Sequence, residues 1–212
     1  IMLGCPKKPE AFTDGRMQRK VNQVYDMFIA SEEYKDQYYT YLGKPLIMVY
    51  VGTPSPFRQG LPQWPEDDRF TFRYLTGFIS EQMNLRTTDR ISKYGYWSWE
   101  DRGWQTYTKY KGEPECCTVT AASRPQRKDE PDHPNYIPAE GRKDGETFKK
   151  RWNRARGLNV STVLVVSWNE WVTNEQPSPE VSKDLEPSLE FGHQYLDLLK
   201  EEIEKYKNPE KK

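Results

Sequence analysis

The chain has 212 residues, enough for one domain with a continuous core. Its 32 Lys and Arg balance 32 Asp and Glu, which argues against nucleic acid or an anionic membrane surface as partner. With 30% charged residues and a mean hydropathy of −1.00 it has the polarity of a disordered chain, but 14% aromatic residues, including seven Trp and fourteen Tyr, argue against that class and place the apolar content in rings.

The chain opens IMLGCPKK, without an initiator Met or a signal-type sequence; this reads as a processing boundary, with any export signal upstream. Met17, Val21, Val24, Phe28, Tyr38 and Leu42 recur at helical spacing, which predicts one long helix or two consecutive ones over 17–42, stopped by Gly43. The run KPLIMVYVG, 44–52, is apolar throughout and suits a strand buried on both faces in a parallel sheet. A Pro-rich loop follows. Alternating Phe70, Phe72 and Tyr74 predict a strand over 69–79, and YGYWSWED predicts another over 94–101. ECCTVTAAS, 115–123, reads as a short strand of small and β-branched residues, and 124–145 as a long polar excursion.

Phe148, Trp152 and Ala155 mark one face of a helix over 146–157, ended by Gly157 and leading into a strand over 161–168. A last helix is expected to start near Pro187 and to turn Leu189, Leu196, Leu199, Ile203 and Tyr206 inward. No stretch approaches the run of about 18 apolar residues that a membrane span needs. Strands followed by polar loops and helices predict an α/β fold of (β/α)8 TIM-barrel type. Only four or five strands are evident, so the chain is expected to hold a single barrel-type domain over 1–207, lacking its first strands, with a disordered tail at 208–212. An upstream segment would complete the barrel.

Cys5, Cys116 and Cys117 read as small core residues, and His133 and His193 leave no histidine-rich metal site; neither metal nor cofactor is expected. The chemistry concentrates at two strand ends, Trp97, Trp99, Glu100 and Asp101 in one and Trp168, Asn169, Glu170 and Trp171 in the other. In one parallel barrel both would line the same mouth. Indole faces stack on the C–H faces of sugar rings, while Asn and carboxylates take the hydroxyls. Glycoside hydrolysis needs two carboxyl groups across the scissile bond, one protonated as acid and one ionised as base or nucleophile. Glu170, desolvated between two indoles, is a candidate acid. The plainer alternative is a carboxylate paired with Arg124 or Arg73. Arg124 directly follows a strand and could clamp a carboxylate or a hydroxyl pair, and Glu175, Glu180 and Asp184 read as loop acids.

The stretch SWNEW at 167–171, followed by LEPS and GHQYLDLLKEEI, resembles the C-terminal portion of glycoside hydrolase family 99-like and WbsX-like polysaccharide-biosynthesis barrels. YLGKPLIMVY also resembles that family's middle strand, an apolar run ending in Tyr50. The resemblance spans about residues 25–206 and implies a (β/α)8 barrel acting on glycans. Glu170 matches the family's N-E-W glutamate and Glu186 its L-E-P glutamate. The family's second glutamate, three residues after the first, is Thr173 here. Glu175, Glu100 or Asp101 is therefore the expected partner carboxylate.

These readings point to a glycoside hydrolase of a bacterial, secreted or periplasmic polysaccharide-degrading system, acting on a carbohydrate substrate. Glu170, Glu175 and Glu100 are the candidate catalytic residues. Tyr50, Trp97, Trp99, Asp101, Arg124, Trp168, Asn169, Trp171 and Glu186 are the candidate substrate contacts. Two alternatives stand beside it: a non-catalytic glycan-binding protein on the same scaffold, with Thr173 marking the lost carboxylate, and a glycosyltransferase-like protein of polysaccharide assembly.

Overall fold

The apolar run at 44–52 forms strand β3, Lys44–Gly52, of a parallel sheet in a mixed α/β fold. The computed structural model describes residues 1–4, 9–52, 67–77, 96–100, 105–125, 131–134, 136–170 and 178–209. Strands β1 (Met2–Gly4), β4 (Thr71–Gly77) and β5 (Tyr96–Glu100) join β3 in the order β1-β3-β4-β5, these four all parallel. Strand β7 (Glu113–Val119) pairs in parallel with β8 (Thr162–Val165). The two groups meet where the Thr118 hydroxyl donates to the Ser98 carbonyl at 2.7 Å. Within each group the parallel strands therefore follow one another in space as they do in the chain, and their carboxyl ends lie along one rim of that group.

Side chains divide on either side of this wall with the two-residue period of a strand. On one side, Ile47 and Val49 of β3 and Phe72 and Tyr74 of β4 pack against Met17, Val21 and Val24 of helix α1, Arg16–Val24. On the same side of the second group, Cys117 and Val119 pack against Phe148, Trp152 and Ala155 of helix α2, Glu146–Leu158, and against Tyr195 of helix α3, Gln194–Lys207. On the other side Leu46, Leu75, Trp97 and Cys116 are buried together, with Met48, Tyr50, Trp99 and Leu164 partly covered above them. Cys116 and Cys117 are buried free thiols, as expected of core residues; Cys5 lies outside the described residues.

Several expectations need correction. The helix over 17–42 ends its α-helical part at Val24 and closes through a π-helical turn, Tyr25–Ile29. The aromatic stretch YYTY, 38–41, ends in strand β2, Thr40–Tyr41, because aromatic and β-branched residues favour pleated backbone. Leu42 and Gly43 both have positive φ and make a tight hairpin turn into β3, so Gly43 serves a hairpin rather than a helix end. A second hairpin, through Lys111 and Gly112, places strand β6 (Tyr107–Tyr110) antiparallel to the amino-terminal part of β7. The last helix begins at Gln194, seven residues after Pro187, and Leu189 is fully exposed rather than inward. Among the described residues no helix is long and apolar enough to cross a membrane.

Candidate functional site

Strand β8 delivers its chain to the rim at Ser167, and Trp168, Asn169 and Glu170 follow as exposed residues. The segment 184–186 runs alongside, where Leu185 N–H donates to Ser167 C=O at 3.1 Å and Glu186 N–H to Trp168 C=O at 3.0 Å. This backbone pairing places half-buried Glu186 beside Trp168, so the two motif glutamates lie on adjoining strips of chain. Trp168 is 51% exposed, which leaves an indole surface open to a ligand.

Glu170 is the centre of a charge cluster. Its side chain is 56% exposed, and its Oε2 lies 3.5 Å from Lys183 Nζ and 3.6 Å from Arg124 Nη2. Arg124 follows the isolated pairing of Ser123 with Glu140, five residues after β7, and is 12% exposed. The Lys183 side chain is only 1% exposed. The desolvation that made Glu170 a candidate acid is therefore absent: the chain emerges from the sheet into solvent, and two cations stand beside the carboxylate. The pairing with Arg124 is present, and Arg73 serves elsewhere. Lys183 was not expected here, since a lysine in a polar loop ordinarily reaches into water.

The loop that carries Lys183 is fastened from beneath. Fully buried Arg142 donates through Nε to Pro179 C=O at 2.8 Å and through Nη2 to Asp184 C=O, while its guanidinium lies over the rings of Phe191 and Tyr195. Burial lowers the Arg142 pKa below its ordinary value. The Asp184 carboxylate accepts hydrogen bonds from Ser167 and from Ser182, the latter at 2.8 Å. Asp184 is thus a buried loop anchor rather than a solvated loop acid.

The other expected site residues separate into groups. Tyr50 and Trp99 sit near the carboxyl ends of β3 and β5, both partly exposed, in edge-to-face contact at 5.9 Å. Trp97 is fully buried, and its indole N–H donates to Glu115 Oε2 at 2.8 Å. It also packs edge-on to Tyr41. Its faces are spent on the core, which corrects its expected role as a substrate platform. The backbone of Glu100 ends β5, but its side chain, like Asp101, Trp171, Thr173 and Glu175, lies outside the described residues. Among the described residues no three His, Cys, Asp or Glu side chains group as metal ligands.

No family model, curated protein or solved structure matches the chain.

Proposed function

We propose that the chain is part of a (β/α)8-type barrel that acts on glycans, with its site on the rim formed by the carboxyl ends of the parallel strands. The reading rests on one observation above all. Glu170 follows a strand end, more than half exposed, with two nearly buried cations at 3.5 and 3.6 Å and the exposed indole of Trp168 two residues away. A carboxylate held between cations suits the base or nucleophile of glycoside hydrolysis, with an acid supplied from Glu100, Asp101 or Glu175. Trp168 and the Tyr50–Trp99 pair would face sugar rings. Parallel strands in chain order have their ligand loops at this end. A bacterial polysaccharide, met outside the cytoplasm, is the substrate class that fits this reading.

The test is incubation of the purified protein with a panel of polysaccharides, following release of reducing ends. Hydrolysis predicts release that Glu170→Gln abolishes; release undiminished in that variant would end the assignment. Thr173, where the resemblance implies a second glutamate, favours a second reading, a glycan-binding protein. That reading predicts retained binding without product. A transferase would release product only with an activated donor and an acceptor present.

A further inference from the structure

We propose that Lys183 is a positioning residue for Glu170, a fixed cation that sets the place and orientation of an otherwise solvent-exposed carboxylate. The inference rests on the reading of Glu170 as the working carboxylate of a glycan site, and it concerns a residue that neither the sequence motifs nor the resemblance mark.

Three observations carry it. First, the Lys183 side chain is almost wholly buried, yet its ammonium ends 3.5 Å from Oε2 of Glu170, which is mostly in water. An ammonium is among the costliest groups to remove from water, so an interior lysine aimed at a surface carboxylate is poorly explained by packing alone. Second, the backbone on each side of Lys183 is held. Ser182 and Ser167 bond the Asp184 carboxylate, Arg142 bonds the carbonyls of Pro179 and Asp184, and Leu185 N–H bonds Ser167 C=O. Third, these ties run to Ser167 and, through Glu186 N–H, to Trp168, the residues that lead into Glu170. The same fastening therefore fixes the cation and the root of the carboxylate relative to each other. Arg124 Nη2 approaches the same Oε2 at 3.6 Å, so both cations stand beside one oxygen of the carboxylate.

In this arrangement the Glu170 side chain lies largely in solvent, whereas Lys183 is enclosed by the protein. A rigid neighbour that holds a reacting group near its productive geometry acts on turnover more than on substrate affinity, because misplacement by about 1 Å costs on the order of a hundred-fold in rate.

The experiment compares Lys183→Met and Lys183→Arg with the unaltered chain on whichever polysaccharide of the panel it cleaves. Met keeps roughly the length and apolar stem of the lysine, and the charge left behind, that of Glu170, is 56% exposed and can be solvated, so folding is expected to persist. The proposal predicts that Lys183→Met lowers kcat about ten- to a hundred-fold with KM changed by less than about three-fold, and that Lys183→Arg recovers a substantial part of the loss. An unchanged kcat, or a loss confined to KM, overturns it. A chain that cleaves nothing defeats the proposed function, and the pairing is then decided without activity, by a double-mutant cycle of Lys183→Met and Glu170→Gln on the thermal unfolding midpoint. Non-additive shifts uphold the pairing, whereas shifts that simply add overturn it.

Discussion

Two arginine–glutamate pairs, one within β4 and β7 and one just beyond the carboxyl ends of β7 and β8, differ in a way that separates a pair closed off from water from one open to it. Toward the amino ends, Arg73 of β4 donates through Nε and Nη2 to Oε1 of Glu115 on β7, at 3.0 and 2.6 Å. Trp97 N–H and Tyr41 O–H complete the carboxylate's hydrogen bonds, and the rings of Tyr41, Trp97 and Tyr110 surround the guanidinium. Both charged side chains are nearly fully buried. At the carboxyl ends, Arg124 and Lys183 reach Glu170 at 3.6 and 3.5 Å, and the carboxylate itself lies mostly in water. The first pair is closed: every group is desolvated and answered within the protein, so it joins β4, β5 and β7. The second is open. Its cations are buried and its anion is wet, the arrangement in which an incoming polar ligand can exchange with solvent.

The comparison breaks most visibly at Glu115. Glu115→Ala leaves Arg73 buried without its carboxylate, which costs about 3–5 kcal/mol. At about 2–4 °C per kcal/mol for a chain of this size, the thermal midpoint followed by circular dichroism should fall by roughly 6–20 °C. A midpoint unchanged by this substitution would mean that the closed pair holds nothing. The open pair should behave in the opposite way. Glu170→Gln is expected to lower the midpoint less than Glu115→Ala does, because the lost carboxylate is largely solvated and the glutamine amide oxygen can still accept from Lys183. Product release from a cleaved polysaccharide should drop by about a hundred-fold or more, as for loss of a general base. Trp97 sharpens the boundary between the two regions. Trp97→Phe keeps a ring in the core and deletes the N–H given to Glu115, so about 1–3 kcal/mol of stability should be lost with glycan binding unaltered. Weakened binding at full stability would return Trp97 to the rim.

How much of this was legible in the sequence depends on whether a signal was local. Strand β3 and helix α2 were readable within a residue or two, since an unbroken apolar run and a 148, 152, 155 spacing fit few backbone conformations besides strand and helix respectively. The hairpin at Leu42–Gly43 was not, because its apolar residues matched a helical stripe until Gly43 and only the sheet reveals that Tyr41 faces Glu115 across 74 positions. The rim was half legible. S-W-N-E-W drew attention to Trp168 and Glu170, and Arg124 was evident as the cation just beyond a strand. Trp97 misled because a tryptophan at a strand end reads alike whether its N–H meets a ligand or a buried glutamate. Lys183 carried no signal: the loop around it is fastened by Arg142, 41 residues away, and by the adjacent Asp184, and neither suggests a fastened loop by its own spacing.

The smallest expected effect comes from a pair graded between the two extremes. Asp67, just before β4, accepts from Arg69 Nε at 2.9 Å and Nη2 at 2.6 Å, from Arg69 backbone N–H at 3.2 Å and from Gln18 at 2.7 Å. Its carboxylate is buried while Arg69 is about one-third exposed. The hydrogen bonds from the Arg69 side chain, foremost, hold the Asp67 pKa below the ordinary carboxylate value. A folded-state pKa below the unfolded one means that the stabilisation is fully present above about pH 4 and is lost as the pH falls through the folded value. Solvent screening at Arg69 limits the contribution to about 1 kcal/mol. Asp67→Asn should therefore unfold at a lower temperature than the unaltered chain at pH 7, and the two midpoints should converge as the pH falls through the lowered folded-state value. Convergence would rank Asp67 as a charge pair like Arg73–Glu115 but weaker. A constant gap across the whole range would assign its effect to packing and neutral hydrogen bonds, and would remove it from the series that links the closed pair to the open one.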